Sequence, residues 1–236
     1  MKNSSMRYDA LLLLGPSGVG KTPLGQLFEE HGLGGRRCVH FDFGAEMRRR
    51  VAENRPDEWI AREDIDFLSD VLRSGALLED CHFPLAGRIL QAFLTRQEAD
   101  RSTLIILNGL PRHAGQAAAL ESIPLGPAER NDAATMSIDV AAVVYLQCDE
   151  GTIIERITTN VGGDRTDRTD DDTAEVRRRF RTFVERTLSL LEFYRRRQVK
   201  IKTVDVTATT TAAKLREQLG EWQTADRGLS GDTQNR

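Results

Sequence analysis

The segment Gly15-Pro-Ser17-Gly18-Val19-Gly20-Lys21-Thr22 matches GxxxxGK[ST] at every fixed position. It comes after the apolar run Tyr8–Leu14 and opens a helical pattern over 20–31. Glycines there let backbone N–H groups curl around phosphate oxygens with no Cβ in the way. The N-terminus of the next helix favours an anion. Lys21 is placed to reach the β- and γ-phosphates, and the Thr22 hydroxyl to ligate Mg²⁺. Pro23 fits because the first helical turn has N–H groups without intrahelical partners. A merely structural glycine-rich turn would need neither the lysine nor the hydroxyl at these places. The reading is a bound nucleoside triphosphate held by Gly15, Ser17, Gly18, Val19, Gly20, Lys21, Thr22 and Pro23.

The elements around this loop are set by hydrophobic periodicity. YDALLLL (8–14), LIIL (104–107) and VAAVVYL (140–146) are continuous apolar runs, as in parallel strands covered on both faces. RCVHF (37–41) is a weaker strand, and VKIKTVDV (199–206) alternates. Helical patterns fall at about 20–31, 44–54, 61–74, 84–97, 113–120, 149–159 and 172–197. In the last, Val176, Phe180, Phe183, Val184, Leu188, Leu191 and Tyr194 share one stripe, and Asp170, Asp171 and Asp172 suit its start. Ile123–Asp132 reads as an irregular loop. Strands alternating with helices predict a three-layer α/β/α fold with a five-stranded parallel sheet.

The chain has 236 residues, 33 Lys plus Arg against 36 Asp plus Glu, and a net charge of −3, which excludes polyanion binding by net charge alone. The basic triplets lack interleaved aromatics, so no nucleic-acid partner is expected. No apolar run approaches the ~20 residues of a membrane span. Ala10–Leu14 is too short for a signal-peptide core. Three scattered cysteines, Cys38, Cys81 and Cys148, suggest neither a metal site nor a disulfide framework. The expectation is a cytoplasmic protein with no membrane and no obligate protein partner. One domain is expected over 1–220, with a polar, disordered tail beyond it.

Asn108-Gly109-Leu-Pro-Arg112-His-Ala-Gly-Gln116 comes directly after strand 104–107. It resembles the D-G-[FY]-P-R…Q segment of the adenylate kinase and nucleoside monophosphate kinase family. Asp42-Phe43-Gly44-Ala-Glu-Met-Arg48 resembles that family's S-[TA]-G-D-x-x-R, and Arg168-Thr-Asp-Asp171 with Arg179 resembles R-x-D-D…R. The ordered set spans most of 8–206.

The resemblance implies a P-loop fold, a helical acceptor-side region over about 43–100, and a short lid at about 160–171. It implies Mg-dependent transfer of the ATP γ-phosphoryl group to a nucleoside monophosphate. Arg48 and Arg112 would hold the acceptor phosphate, with Phe43, Gly44, Leu78, Gly109 and Gln116 around the acceptor. Arg168 and Arg179 would clamp the transferring group, and Arg156 would stack on the donor base. With Lys21, Arg112, Arg168 and Arg179 are then the catalytic cations. Arginine suits this chemistry because its planar fork binds phosphate in two places and stays charged. Geometry adds a little: Arg179 borders the apolar stripe, whereas Arg178 points away.

The chain also departs from the pattern. Asn108 stands at the Asp that orients metal-bound water, so any metal contact by Asn108 would be through water and without charge. On that basis Asn108→Asp is expected to speed turnover. Phe43 replaces a smaller residue, Asn160 stands at a lid arginine for which Arg165 is a candidate substitute, and an insertion falls near Asn54–Asp66. Two other readings stay open: a P-loop kinase of a small hydroxyl substrate, with Asp42 as general base or metal-shell acid, and an ATP-binding protein with weak or no phosphotransfer.

Overall fold

The computed structural model describes residues 6–126, 134–163 and 172–225, with side chains as far as 220. The elements are β1 (Met6–Leu14), α1 (Lys21–His31), β2 (Cys38–Asp42), α2 (Phe43–Glu53), α3 (Arg62–Ser74), a 3₁₀ turn (Asp80–His82), α4 (Phe83–Arg96), β3 (Leu104–Asn108), α5 (Ala114–Ala119), β4 (Ile123–Pro124), β5 (Thr135–Gln147), α6 (Glu150–Thr159), α7 (Thr173–Thr182), a π-helical turn (Phe183–Thr187), α8 (Leu190–Arg196), β6 (Lys200–Asp205) and α9 (Ala212–Ala225).

The sheet runs β2-β3-β1-β5, and β6 flanks the far side of β5. These strands are all parallel, as expected. The two-residue β4 is an antiparallel addition against Met136 and Thr135. Along β1 the side chains alternate between two cores. Ala10, Leu12 and Leu14 join Phe41, Ile89 and Phe93 on one face. Leu11 and Leu13 join Phe28, Ile106 and Leu215 on the other. Helices cover both faces, which gives the three layers. Among the described residues no helix is long and apolar enough to cross a membrane.

Four sequence expectations are corrected. The 172–197 pattern is not one helix. The Leu188 N–H reaches back to the Phe183 carbonyl at 3.0 Å, the wide spacing of a π turn. One extra residue slips the stripe, so Phe183 and Thr187 are buried while Val184 is 45% exposed. Strand β5 starts at Thr135, because Met136, Ile138 and Val140 alternate inward ahead of the continuous run. The irregular loop contains β4 at its start, and residues 127–133 lie outside the described part. Helix α9 runs to Ala225, so the tail expected beyond 220 begins as helix; residues 226–236 lie outside the described part.

The insertion is held by charge. The buried Arg50 pairs with Asp57, whose other oxygen caps the backbone N–H groups of Trp59 and Ile60. Arg88 binds Asp64 at 2.7 Å and the Trp59 carbonyl at 2.9 Å. The extra chain thereby packs against α4 without a core of its own. Trp59 is partly buried against the α2–α4 core, so packing is the role this geometry gives it. Register then sets the site: in the parallel pair β2–β3, Asp42 lies opposite Asn108 at the C-terminal ends of both strands.

Candidate active site

The loop from Gly15 to Gly20 turns between β1 and α1 where the sequence places it. Gly20 caps α1 at φ 107°, a region that penalises a Cβ. At Gly15 a Cβ would sit 2.7 Å from the Leu146 carbonyl oxygen, so only glycine lets the loop lie this close to β5. Val19 is fully buried and anchors the loop from below. Ser17, Gly18, Lys21, Thr22 and Pro23 are half-buried at its open side. The Lys21 ammonium donates to the Gly15 and Pro16 carbonyls at 2.7 and 2.8 Å, folded over the loop it closes.

The floor beside Thr22 is a polar knot of side chains from three elements. The Thr22 hydroxyl donates to Asp42 Oδ2 at 2.7 Å, and Asn108 Nδ2 donates to the same oxygen at 2.9 Å. Asn108 Nδ2 is also 3.1 Å from Thr22 Oγ1 and 3.5 Å from His40 Nε2. The other Asp42 oxygen accepts the Ala45 N–H at 2.9 Å and caps α2. Burial pushes the Asp42 carboxyl up, but the bonds from Thr22 and Ala45 and the neighbouring His40 and Arg48 leave it below the usual value. Asp42 is thus ionised at neutral pH. Burial lowers the His40 pKa despite nearby Asp42 and Glu29, which keeps the imidazole neutral.

Asp42, left open by the sequence as a general base or metal-shell acid, puts a carboxylate in this floor beside Asn108. An aspartate at 108 would face Asp42 at hydrogen-bond distance, and two carboxylates sharing a site cannot both ionise cheaply. Asn108→Asp is now expected to lower both turnover and the thermal midpoint, the reverse of the sequence expectation. Side-by-side melting curves and rates of the two forms check this; a faster, equally stable variant would mean that the floor does lack a charge at 108.

The acceptor-side residues converge on the same floor. Arg112 Nε donates to the Gly109 carbonyl at 3.0 Å. Burial lowers the Arg112 pKa, the Asp42 charge raises it and the Arg179 charge lowers it, so both groups lie within electrostatic reach of Arg112. The exposed Arg48 lies over Gly44, where a Cβ would meet its guanidinium at 3.4 Å. Arg179 is held by Glu175 at 2.7 Å, one turn back on α7.

Gln116 is buried; it accepts the Arg112 N–H at 2.8 Å and donates to the Leu78 carbonyl at 2.8 Å. It ties the Arg112 loop to the Leu78 segment, and among the described residues these two bonds use one amide proton and one carbonyl lone pair. His113 joins this tie through Leu78 and Asp80. Phe43 is 4% exposed and belongs to the core beside Phe41, so it shapes the acceptor side from beneath. Arg165, Arg168 and the lid over 164–171 lie outside the described residues. Asn160 caps α6 at φ 47°, a conformation asparagine tolerates.

The expected stacking role of Arg156 is corrected. Its guanidinium is buried and donates to Gly18 at 3.3 Å, Thr207 at 2.7 Å and Thr210 at 2.8 Å, all carbonyls. It ties the phosphate loop to the turn after β6, a turn no local pattern marked. With 2% exposure it presents no open face to a base. Arg156→Ala leaves three carbonyls, that of Thr210 buried, short of a donor and is expected to cost about 1–3 kcal/mol of stability. Chemical denaturation would read this; wild-type stability with weaker ATP binding would return Arg156 to the base.

These residues sit in a chain similar to known enzymes over most of its length. The adenylate kinase of Parvibaculum lavamentivorans is 30% identical over 200 residues, covering 83% of each chain. This chain belongs to the adenylate kinase family. A second adenylate kinase, from Synechococcus sp. strain WH7803, is 28% identical over 207 residues, covering 87% of this chain and 94% of that one. No protein-family model matches the chain. Among solved structures, a gluconokinase from Sinorhizobium meliloti matches with TM-score 0.50 and 18% identity, over 96% of this chain and 98% of that one, a likeness of fold. The adenylate kinase family member described here is a P-loop kinase.

Proposed function

We propose that this kinase transfers the γ-phosphoryl group of ATP to a nucleoside monophosphate. The observation that carries the reading is the position of Arg112. It is anchored to Gly109, the neighbour of Asn108 in the floor, lies within electrostatic reach of Asp42 and Arg179, and is tied through Gln116 to Leu78. A dianionic acceptor meets a tetraanionic donor only where several fixed cations offset the repulsion. Lys21, Arg48, Arg112 and Arg179 supply them, and Arg168 is proposed to join them.

An acceptor phosphate oxygen forms the new bond to the γ-phosphorus as the bond to the β–γ bridging oxygen breaks, giving two diphosphates. No protein nucleophile is required; Arg112 and Arg48 orient the acceptor, and Lys21 offsets charge gathering on the leaving oxygen. Phe43, Gly44, Leu78, Gly109 and Gln116 are proposed to bound the acceptor. Mg²⁺ fits the floor, because a hydroxyl beside an ionised carboxylate is an all-oxygen donor set of the kind this ion takes. Thr22 would hold it, and when bound it offsets phosphate charge.

One observation favours a second reading. The ionised Asp42 at the floor could accept the proton of a small hydroxyl substrate. The discriminating experiment is an ADP-release assay across AMP, CMP, UMP, GMP and their deoxy forms, with shikimate and gluconate alongside. Turnover with one or more monophosphates is expected. Turnover with a hydroxyl substrate alone, uncontested by monophosphates, would replace the proposal, and ATP binding without any product would remove it.

A further inference from the structure

The knot beside Thr22 contains one carboxylate and one amide, and their hydrogen bonds show which does what. Asp42 Oδ2 accepts from both Thr22 Oγ1, at 2.7 Å, and Asn108 Nδ2, at 2.9 Å. A carboxylate only accepts, so the asparagine must turn its NH₂ toward it. That NH₂ donates to Asp42 and Thr22, and His40 Nε2 lies 3.5 Å from the same nitrogen. The amide carbonyl of Asn108 is therefore not the group presented to the Thr22 hydroxyl. Asp42 in turn comes from the end of β2, across the register from Asn108 at the end of β3.

We infer that Asp42 is the carboxylate of the Mg²⁺ shell in this kinase, and that Asn108 is a positioning residue that holds Asp42 against Thr22. Positions 42 and 108 are then coupled through one oxygen. With a carboxylate at 42, a second at 108 would repel it, whereas an amide donates to it. The Thr22 hydroxyl gives its proton to Asp42 and keeps a lone pair for the ion. Asp42 also caps α2, so the metal shell and the start of the helix carrying Arg48 are set by one side chain.

The inference rests on the reading of the Gly15–Thr22 loop as a Mg·ATP site and is independent of the acceptor. It is tested by calorimetric titration of ATP, with Mg²⁺ and with a chelator, into wild type, Asp42→Asn and the exchanged pair Asp42→Asn/Asn108→Asp. Asparagine caps a helix as well as aspartate does, so the first variant keeps the start of α2. The increment in ATP affinity due to Mg²⁺ is expected to fall roughly tenfold to a hundredfold in Asp42→Asn. Metal-free ATP should bind that variant no more weakly, since a negative charge has gone. The exchanged pair should regain most of the increment. Should Asp42→Asn prove unfolded by its melting curve, the exchanged pair decides alone.

An unchanged increment in Asp42→Asn overturns the inference, even if turnover is lost, because Asp42 would then act on the acceptor. A folded exchanged pair with no recovery also overturns it. Wild type that binds no ATP removes the triphosphate reading and this inference together. Failure of every monophosphate as acceptor leaves the titration result standing.

Discussion

Lys21→Ala is expected to slow turnover by roughly 10²–10³, the cost of about 3–4 kcal/mol for one charged donor lost where charge gathers in a transition state. The fold should tolerate the change. Lys21 is half-buried, and its contacts to the Gly15 and Pro16 carbonyls lie at the open side of the loop, where water can replace them. Thermal midpoints of variant and wild type should therefore agree closely while rates and ATP affinity diverge. Lys21→Arg should rescue poorly, since the loop closes around a compact ammonium and a guanidinium is wider. Unchanged turnover and unchanged ATP affinity in Lys21→Ala would show that the loop cradles no triphosphate.

Arg112→Ala is expected to raise the KM for the monophosphate by about a hundredfold or more, with far less effect on the KM for ATP. The asymmetry comes from position. Arg112 is anchored through Nε to Gly109 and through its N–H to Gln116, where the proposed acceptor would sit. Its fork is thereby oriented before substrate arrives, which a flexible ammonium cannot reproduce, so Arg112→Lys should recover only part of the loss. Arg48→Ala should act in the same direction but less, because Arg48 is exposed and screened by water. Equal rises for both substrates in Arg112→Ala would make it a structural residue, with Asp42 left uncompensated in the floor.

The sequence determined what depends on neighbours along the chain. The phosphate loop is eight consecutive residues whose glycines, lysine and threonine act through local conformation, so its pattern is readable without a fold. The apolar strands are readable for the same reason: burial on both faces leaves a continuous run. Resemblance assigned Arg48 and Arg112 to the acceptor phosphate, and the structure anchors Arg112 to Gly109 and Gln116. Where periodicity misled inside an element, a single residue was responsible, as at the π turn that rotates Val184 outward.

The tertiary structure decided where the charges meet. Asp42 and Asn108 are 66 residues apart, and only the parallel register of β2 and β3 sets them on one oxygen with Thr22. Read one at a time, Asn108 is a missing carboxylate; read across the sheet, it is the donor that suits a carboxylate already present. Arg156 is similar, since its partners lie in the Gly18 loop and the Thr207–Thr210 turn, which no local pattern links. A side chain's charge and hydrogen-bonding capacity are written in its type. Whether they face substrate, metal or a neighbouring carbonyl is a matter of distance between strands, and distance is a property of the folded chain.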